Sequence, residues 1–372
     1  MNKIKKYLFS ELYEMSSGIS STKDQAGHGA PFLSFSTVFN NYFLPKKLKD
    51  KMNTTSKEQE TFSIKKGDIF VTRTSETIDE LAMSCVALKD YPNATYSGFV
   101  KRLRPKTSGI VDDKFIAFYL RSKLFRKTME NNATMTLRAS FNEDIFSFLS
   151  LYLPPYKEQV KIGKLLYSIE EKIQYNKKIN DNLQQQLALI YEHMMSQAMK
   201  NEIHGHFTTV SKLSEVVTGK EDANFSTFNG KFKFFTCSND ILNCNEYIWD
   251  ASAILIAGNG DFNVKHYTGK FNAYQRTYVL IPYIDYYGLL YMASLHQINS
   301  FKSASAGSIV KFITKGDIEN IPVFIPDDSN YLEQMNQLVL FQENNNHENE
   351  ELNAIRNWLL PMLMNGQVTV TD

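Results

Sequence analysis

Between residues 162 and 194, seam positions recur at alternating spacings of four and three: Ile162, Leu166, Ile169, Ile173, Asn176, Asn180, Leu183, Leu187, Ile190 and Met194. This is the a/d seam of a coiled coil, sustained over more than four heptads with two polar positions in its middle. The same rhythm returns at an offset of 169 in Met335, Leu338, Gln342, Asn345, Asn349, Leu352, Arg356, Leu359 and Leu363. The second seam is weaker. Gln342 and Arg356 interrupt it, and Pro361 is expected to bend or end the helix. Two long helices are therefore predicted, over 156–200 and 328–372. A helix of about 45 residues extends about 65 Å at 1.5 Å per residue.

The asparagines recur at matching places, Asn176/Asn180 and Asn345/Asn349. If the helices pair antiparallel about a pseudo-two-fold axis, Asn176 faces Asn349 and Asn180 faces Asn345. Such a layer costs stability but fixes register, because every slipped pairing buries amides against leucine. The plainer alternative is four exposed asparagines on ordinary helices.

The rest of the chain also reads as a repeat. Residues 111–145 line up against 283–318 at an offset of 173, with Asp112 on Asp285, Arg138 on Lys311 and Asp144-Ile145 on Asp317-Ile318. Each copy is preceded by an apolar run ending in proline, "GFVKRLRP" and "TYVLIP". Further upstream each has a buried-type strand and a polar loop, "GDIFVTRTS" and "AILIAGNGD". Downstream, "LSLYLPP" matches "IPVFIP". Chance similarity of two α/β segments is the alternative. The expected organisation is α+β: two pseudo-symmetric α/β domains, 1–155 and 201–327, separated by two long antiparallel coiled-coil helices. Two domains joined by a stiff rod make a ruler suited to a two-part site on a linear polymer.

Charge supports a polyanion as that polymer on one side more than on the other. Residues 1–155 carry +7, 156–200 carry +2, 201–328 carry −3 and 329–372 carry −5. No run of 18 apolar residues or signal core is present, so a cytoplasmic, membrane-free protein is expected. Cys85, Cys237 and Cys244 form no C-x-x-C pair. His204-Gly205-His206 lacks a third ligand at plausible spacing, so no metal site is expected. Leu153-Pro154-Pro155-Tyr156 is reminiscent of an adenine methyltransferase motif, but that chemistry needs Asn or Asp where Leu153 stands. No P-loop or paired-carboxylate constellation is visible, and Gly258-Asn259-Gly260 lacks the third glycine of a dinucleotide loop.

The whole chain resembles the specificity subunit of type I restriction–modification systems. The resemblance is carried by "LPPYKEQVKIGKLLYSIEEKIQYNKKINDNLQQQ" (153–186), similar to the family's central conserved helix, and by "LLPMLMNGQVTV" (359–370), similar to its C-terminal end. "GDIFVTRTSETIDE" (67–80) and "ILIAGNGDFNVKHYTGKFNAYQRTYVLIP" (254–282) resemble its target-recognition domains. The resemblance implies a non-catalytic subunit. Each target-recognition domain would read one half of a bipartite site on double-stranded DNA. The helices would set the gap and dock two modification subunits, which two motor-nuclease subunits can join. It places S-adenosylmethionine, ATP and magnesium in those partners and no cofactor in this chain.

Base reading needs donors and acceptors aimed at base edges, whereas phosphate contacts only position a domain. In the first domain the candidates are Arg73, Thr74 and Ser75 after a strand, and Thr22, Lys23 and Gln25 in a polar loop that also holds His28. Arg102 and Arg104 in "KRLRPK", and "RSKLFRK" (121–127), are basic clusters that suit phosphate contact or a solvated face equally. In the second domain the candidates are Asn259, Lys265, Tyr274, Gln275 and Arg276, beside His266. Gln275 suits adenine and Arg276 guanine. Arg138, Ser308 and Lys311 are phosphate candidates. The competing readings are a stand-alone coiled-coil DNA-binding or scaffold protein, and a nuclease fold that one sequence does not reveal.

Overall fold

Tyr156–Met199 forms one unbroken helix of 44 residues, the central helix, and Asn330–Met364 a second of 35, the C-terminal helix. The structure, a computed structural model, describes residues 4–20, 22–132, 139–260, 262–283, 285–304 and 312–370. Arg138, Ser308 and Lys311 lie outside the described residues. Pro154 and Pro155 stop the strand Ser150–Leu153, and the central helix starts at the next residue. Pro361 was expected to bend or end the C-terminal helix, but the helix continues through it to Met364. Leu360, Leu363 and Met364 are buried in a core with Ile162 and Leu166, which holds the last turn in place. The chain then leaves the helix through Gly366, whose φ of 73° suits glycine.

The contacts divide the chain into two compact units, 1–173 with 351–372, and 174–350. Each unit thus holds one sheet domain with part of both helices. In the second unit Leu187, Tyr191 and Met194 of the central helix share a core with Leu332, Met335 and Val339. Asn176 Nδ2 donates to Asn349 Oδ1 at 3.1 Å, and Asn345 Nδ2 to Asn180 Oδ1 at 2.8 Å. Ascending positions on one helix meet descending positions on the other, so the pairing is antiparallel.

Gln342 and Arg356 are not interruptions of the seam. Gln342 is buried, and its Nε2 donates to Asn180 O at 3.1 Å and Gln184 Oε1 at 3.2 Å. Gln184 in turn accepts from Tyr291 OH at 3.0 Å. In the first unit Arg356 pairs with Glu170 at 2.5 Å, both nearly buried. The polar stretch is therefore wider than four asparagines. It is also incompletely satisfied: Asn176 Oδ1 and Gln342 Oε1 are buried and accept no hydrogen bond from the described residues. A buried unsatisfied polar atom costs about 1–3 kcal/mol. Such a layer stabilises one register relative to others better than it stabilises the fold.

Each unit carries a mainly antiparallel sheet. The first has the order Tyr13–Ser17, Val100–Pro105, Ile69–Thr72, Ser84–Val86. The second has Ser214–Thr218, Thr277–Pro282, Trp249–Ala257, Val264–Ala273, Phe232–Phe235, Leu242–Cys244, with one parallel pair. Both begin with the same antiparallel ribbon at the foot of a long helix: Lys5–Leu8 on Ser150–Leu153, and Gly205–Thr209 on Pro322–Pro326. The repeat extends to single hydrogen bonds. Phe141 N donates to Arg73 O as Ile313 N does to Gly258 O, both at 2.8 Å.

One constant offset does not describe the repeat. Asp112 caps the helix Asp113–Tyr119 through Lys114 N and Phe115 N, whereas Asp285 has φ 82° and stands two residues before Tyr287–Ala304. The caps at the far end are Asn142 and Thr314, one residue out of step with Asp144 on Asp317. The closest crossing also changes hands. In the first unit Gly163, on the central helix, abuts the helix Asp113–Tyr119: a Cβ there would lie 2.7 Å from Phe115 N. In the second unit the glycine is Gly288, on the domain helix, where a Cβ would lie 2.6 Å from Met335 C. A side-chain amide secures each crossing. Gln159 binds Asp112 N and Ile110 O, and Asn336 binds Gly288 N and Asp285 O.

Candidate nucleic-acid interface

The polar loops that follow the two central strands meet one other turn in each unit, with the same backbone pattern. In the first unit Arg73, just after Ile69–Thr72, donates its N–H to Phe99 O at 2.9 Å. Gly98 N donates to Ile19 O at 2.7 Å, and Val100 N closes the turn on Ser97 O at 2.9 Å. In the second unit Gly258, just after Trp249–Ala257, donates to Arg276 O at 2.9 Å. Gln275 N donates to Glu221 O at 2.9 Å, and Thr277 N closes on Tyr274 O at 2.7 Å. Strand end, turn and N-terminal loop thus come together twice, although their residues are far apart in sequence.

The side chains on this frame differ in availability. Arg73 is exposed, flanked by partly exposed Thr74 and Ser75, which pair with Ser140 and Ala139. Gln275 and Arg276 are both exposed at the turn tip, and Gln275 Nε2 is oriented by Asp222 Oδ1 at 3.0 Å. Tyr274 and Asn259 are partly exposed beside them. Thr22, Lys23 and His28 are exposed on the N-terminal loop. Gln25 is only partly exposed, and its Oε1 accepts from Thr22 N at 3.0 Å, so it shapes that loop.

Three cations proposed from the sequence are built into the fold instead. Arg102 is buried, and its Nη1 donates to Ser63 O at 2.8 Å. Arg104 makes two bonds to the fully buried Asp68 carboxylate, 2.8 and 2.7 Å long. That bidentate pairing raises the Arg104 pKa. Lys265 donates to Ser238 O at 2.5 Å and Asn263 Oδ1 at 2.6 Å, and burial lowers its pKa. In the basic run 121–127, Arg121 is likewise internal, with Nε on Ser84 O and Nη2 on the carbonyls of Val38, Phe39 and Asn41. A guanidinium that satisfies several carbonyls inside a domain is not free to neutralise phosphate.

His266 is internal too. Its Nδ1 lies 3.0 Å from Glu343 Oε1 of the C-terminal helix, which also accepts from Tyr287 OH at 2.5 Å. Burial opposes ionisation of Glu343, but hydrogen bonds from His266, Thr268 and Tyr287 outweigh it and hold the carboxyl below its usual range. Phe99, whose carbonyl accepts from Arg73 N, is also exposed on this frame, and its residue type gave no hydrogen-bonding signal in the sequence. Among the described residues no group of three or more His, Cys, Asp or Glu could hold a metal ion, and no helix is long and apolar enough to cross a membrane.

A family model described as the type I restriction modification DNA specificity domain matches residues 9–185 and 208–354. The chain belongs to this family. Over 167 residues it is 37% identical to the type I restriction enzyme EcoDI specificity subunit of Escherichia coli, a match covering 43% of this chain and 38% of that one's length. The fold is that of the type I restriction–modification S subunit from M. genitalium. The likeness covers 97% of this chain and 96% of the other, with a TM-score of 0.62 at 17% identity. Within the specificity family, the two matched segments fall on the two sheet domains and the helix that follows each.

Proposed function

We propose that this chain is the DNA-reading subunit of a type I restriction–modification complex and carries no catalysis of its own. The observation that carries the reading is the doubled frame. In each unit a strand-end loop, a turn and an N-terminal loop converge, and exposed Arg73 or Arg276 stands on it. Each frame reads one half of a bipartite, asymmetric site in double-stranded DNA, with Arg276 suited to guanine and Gln275 to adenine. Thr22, Lys23, Thr74, Ser75, Asn259 and Tyr274 are the neighbouring contacts.

The paired helices set the gap between half-sites, and their polar layer of Asn176, Asn180, Asn345 and Asn349 fixes the register that defines it. Two modification subunits dock on this chain and bring S-adenosylmethionine. Two motor-nuclease subunits complete the assembly with ATP and magnesium. The complex works in the cytoplasm. The test is co-expression with an adenine-modification subunit, followed by mapping of methylated adenines. A single bipartite motif that depends on this chain supports the reading. Methylation or cleavage by the purified chain alone, or the same motif without it, overturns it.

A further inference from the structure

We propose that Phe99 is a base-reading residue that packs against the 5-methyl group of a thymine in the half-site bound by the first unit. The proposal rests on the DNA-reading function above. Phe99 is 67% exposed, although its neighbour Val100 is fully buried in the sheet. Its carbonyl is held by Arg73 N at 2.9 Å and its own N–H by Ser97 Oγ at 3.2 Å, so the ring is carried on a fixed backbone. The equivalent hydrogen bonds in the second unit place Arg276 there. The same turn position therefore presents a guanidinium in one unit and a phenyl ring in the other.

The surroundings of Phe99 select what it can meet. A cleft of about 430 Å³ beside it is lined by Phe35, Phe39, Thr74, Glu76 and Glu80. Phe35 and Phe39 stack with centroids 5.9 Å apart, which stiffens the apolar wall. Neither the Phe99 ring nor the stacked wall offers a donor to a phosphate, so a base edge fits them better than the backbone does. A phenyl ring cannot hydrogen-bond to a base. The feature of a base edge it can distinguish is the thymine methyl, which projects into the major groove. Arg73, on the adjoining residue of the frame, supplies the polar contact.

The test uses the assembled complex of this chain with its modification subunit and the motif found by methylation mapping. Each thymine of the first half-site, on either strand, is replaced in turn by deoxyuridine, which removes only the methyl. Wild-type binding is expected to weaken about fourfold at one position, the worth of one buried methyl group. Phe99→Ala should weaken binding to the thymine duplex by a similar factor and ignore that same replacement, while Phe99→Leu keeps the discrimination. The proposal is overturned if no replacement matters to the wild type, if Phe99→Ala discriminates equally, or if that half-site holds no thymine. A ring wedged between base steps would give the first of these results, since uracil stacks without the methyl. A complex with no sequence preference at either half-site would sink the DNA-reading function itself, and this proposal with it.

Discussion

Arginine does two different jobs in this molecule, and the difference lies in what its neighbours demand. Arg104 answers the Asp68 carboxylate, which is fully buried and would otherwise be an uncompensated charge. Arg104→Ala is expected to destabilise the first unit by about 2–3 kcal/mol, less than a fully buried pair because the guanidinium is partly exposed. Chemical denaturation reads this directly. Arg276 answers nothing buried. Arg276→Ala should leave stability unchanged and cost about 1–3 kcal/mol in binding to the cognate site, with relaxed choice at one base. A uniform loss on all sequences with a shallower salt dependence would make Arg276 a phosphate contact instead. The sequence places both arginines in or beside apolar strand-like runs and does not separate them, because Asp68 lies 36 residues before Arg104. Phe99 was invisible for another reason: its exposure follows from a turn closed by hydrogen bonds to Ser97 and Arg73, and not from its own residue type.

The helices were the most legible elements, because a heptad is a local period that no distant partner needs to explain. The contacts Asn176–Asn349 and Asn180–Asn345 follow from the spacing once the helices are taken as antiparallel. Gln342 looked like a flaw since its partner Gln184 stands 158 residues away. Replacing Asn176 and Asn349 together by leucine is expected to raise the thermal midpoint, because one buried unsatisfied oxygen disappears. Replacing Asn349 alone should lower it, because Asn176 Nδ2 loses one of its two acceptors and keeps Glu348 Oε2 at 2.7 Å. A pH dependence belongs at this scale as well. The folded-state pKa of Glu343 is depressed, so its contribution is present above the unfolded carboxyl pKa and is lost as pH falls through the folded value. Denaturation midpoints measured from neutral pH downward should show this acid loss in the wild type. In Glu343→Gln the loss should be smaller, and stability at neutral pH should be lower.

At the scale of the whole chain, pairing and spacing become a prediction about DNA. One heptad inserted in phase into each helix, after Asn180 and before Asn345, adds about 10 Å at 1.5 Å per residue. At about 3.4 Å per base pair, the gap in the methylated motif should grow by about three base pairs, with both half-sites unchanged. An unchanged gap in an insertion variant whose helicity rises as designed would show that the helices do not set it. The repeated domain order was visible in the sequence. Its exact alignment was not, since the caps at Asn142 and Thr314 and the start of each domain helix drift by a residue against a constant offset.

The crossing where glycine changes hands also bears on how the two halves can be exchanged. Each sheet domain is matched to the helix that follows it: Phe115 to Gly163, and Gly288 to Met335. Gly163 leaves room for the backbone at Phe115, and Gly288 for the backbone at Met335, so neither helix pair is free to change partners without a side chain entering a space sized for none. A chimaera that joins the first domain to a foreign helix at Pro155 is therefore expected to fold less stably than one that carries the domain's own helix through Gly163, and denaturation of the two would check it.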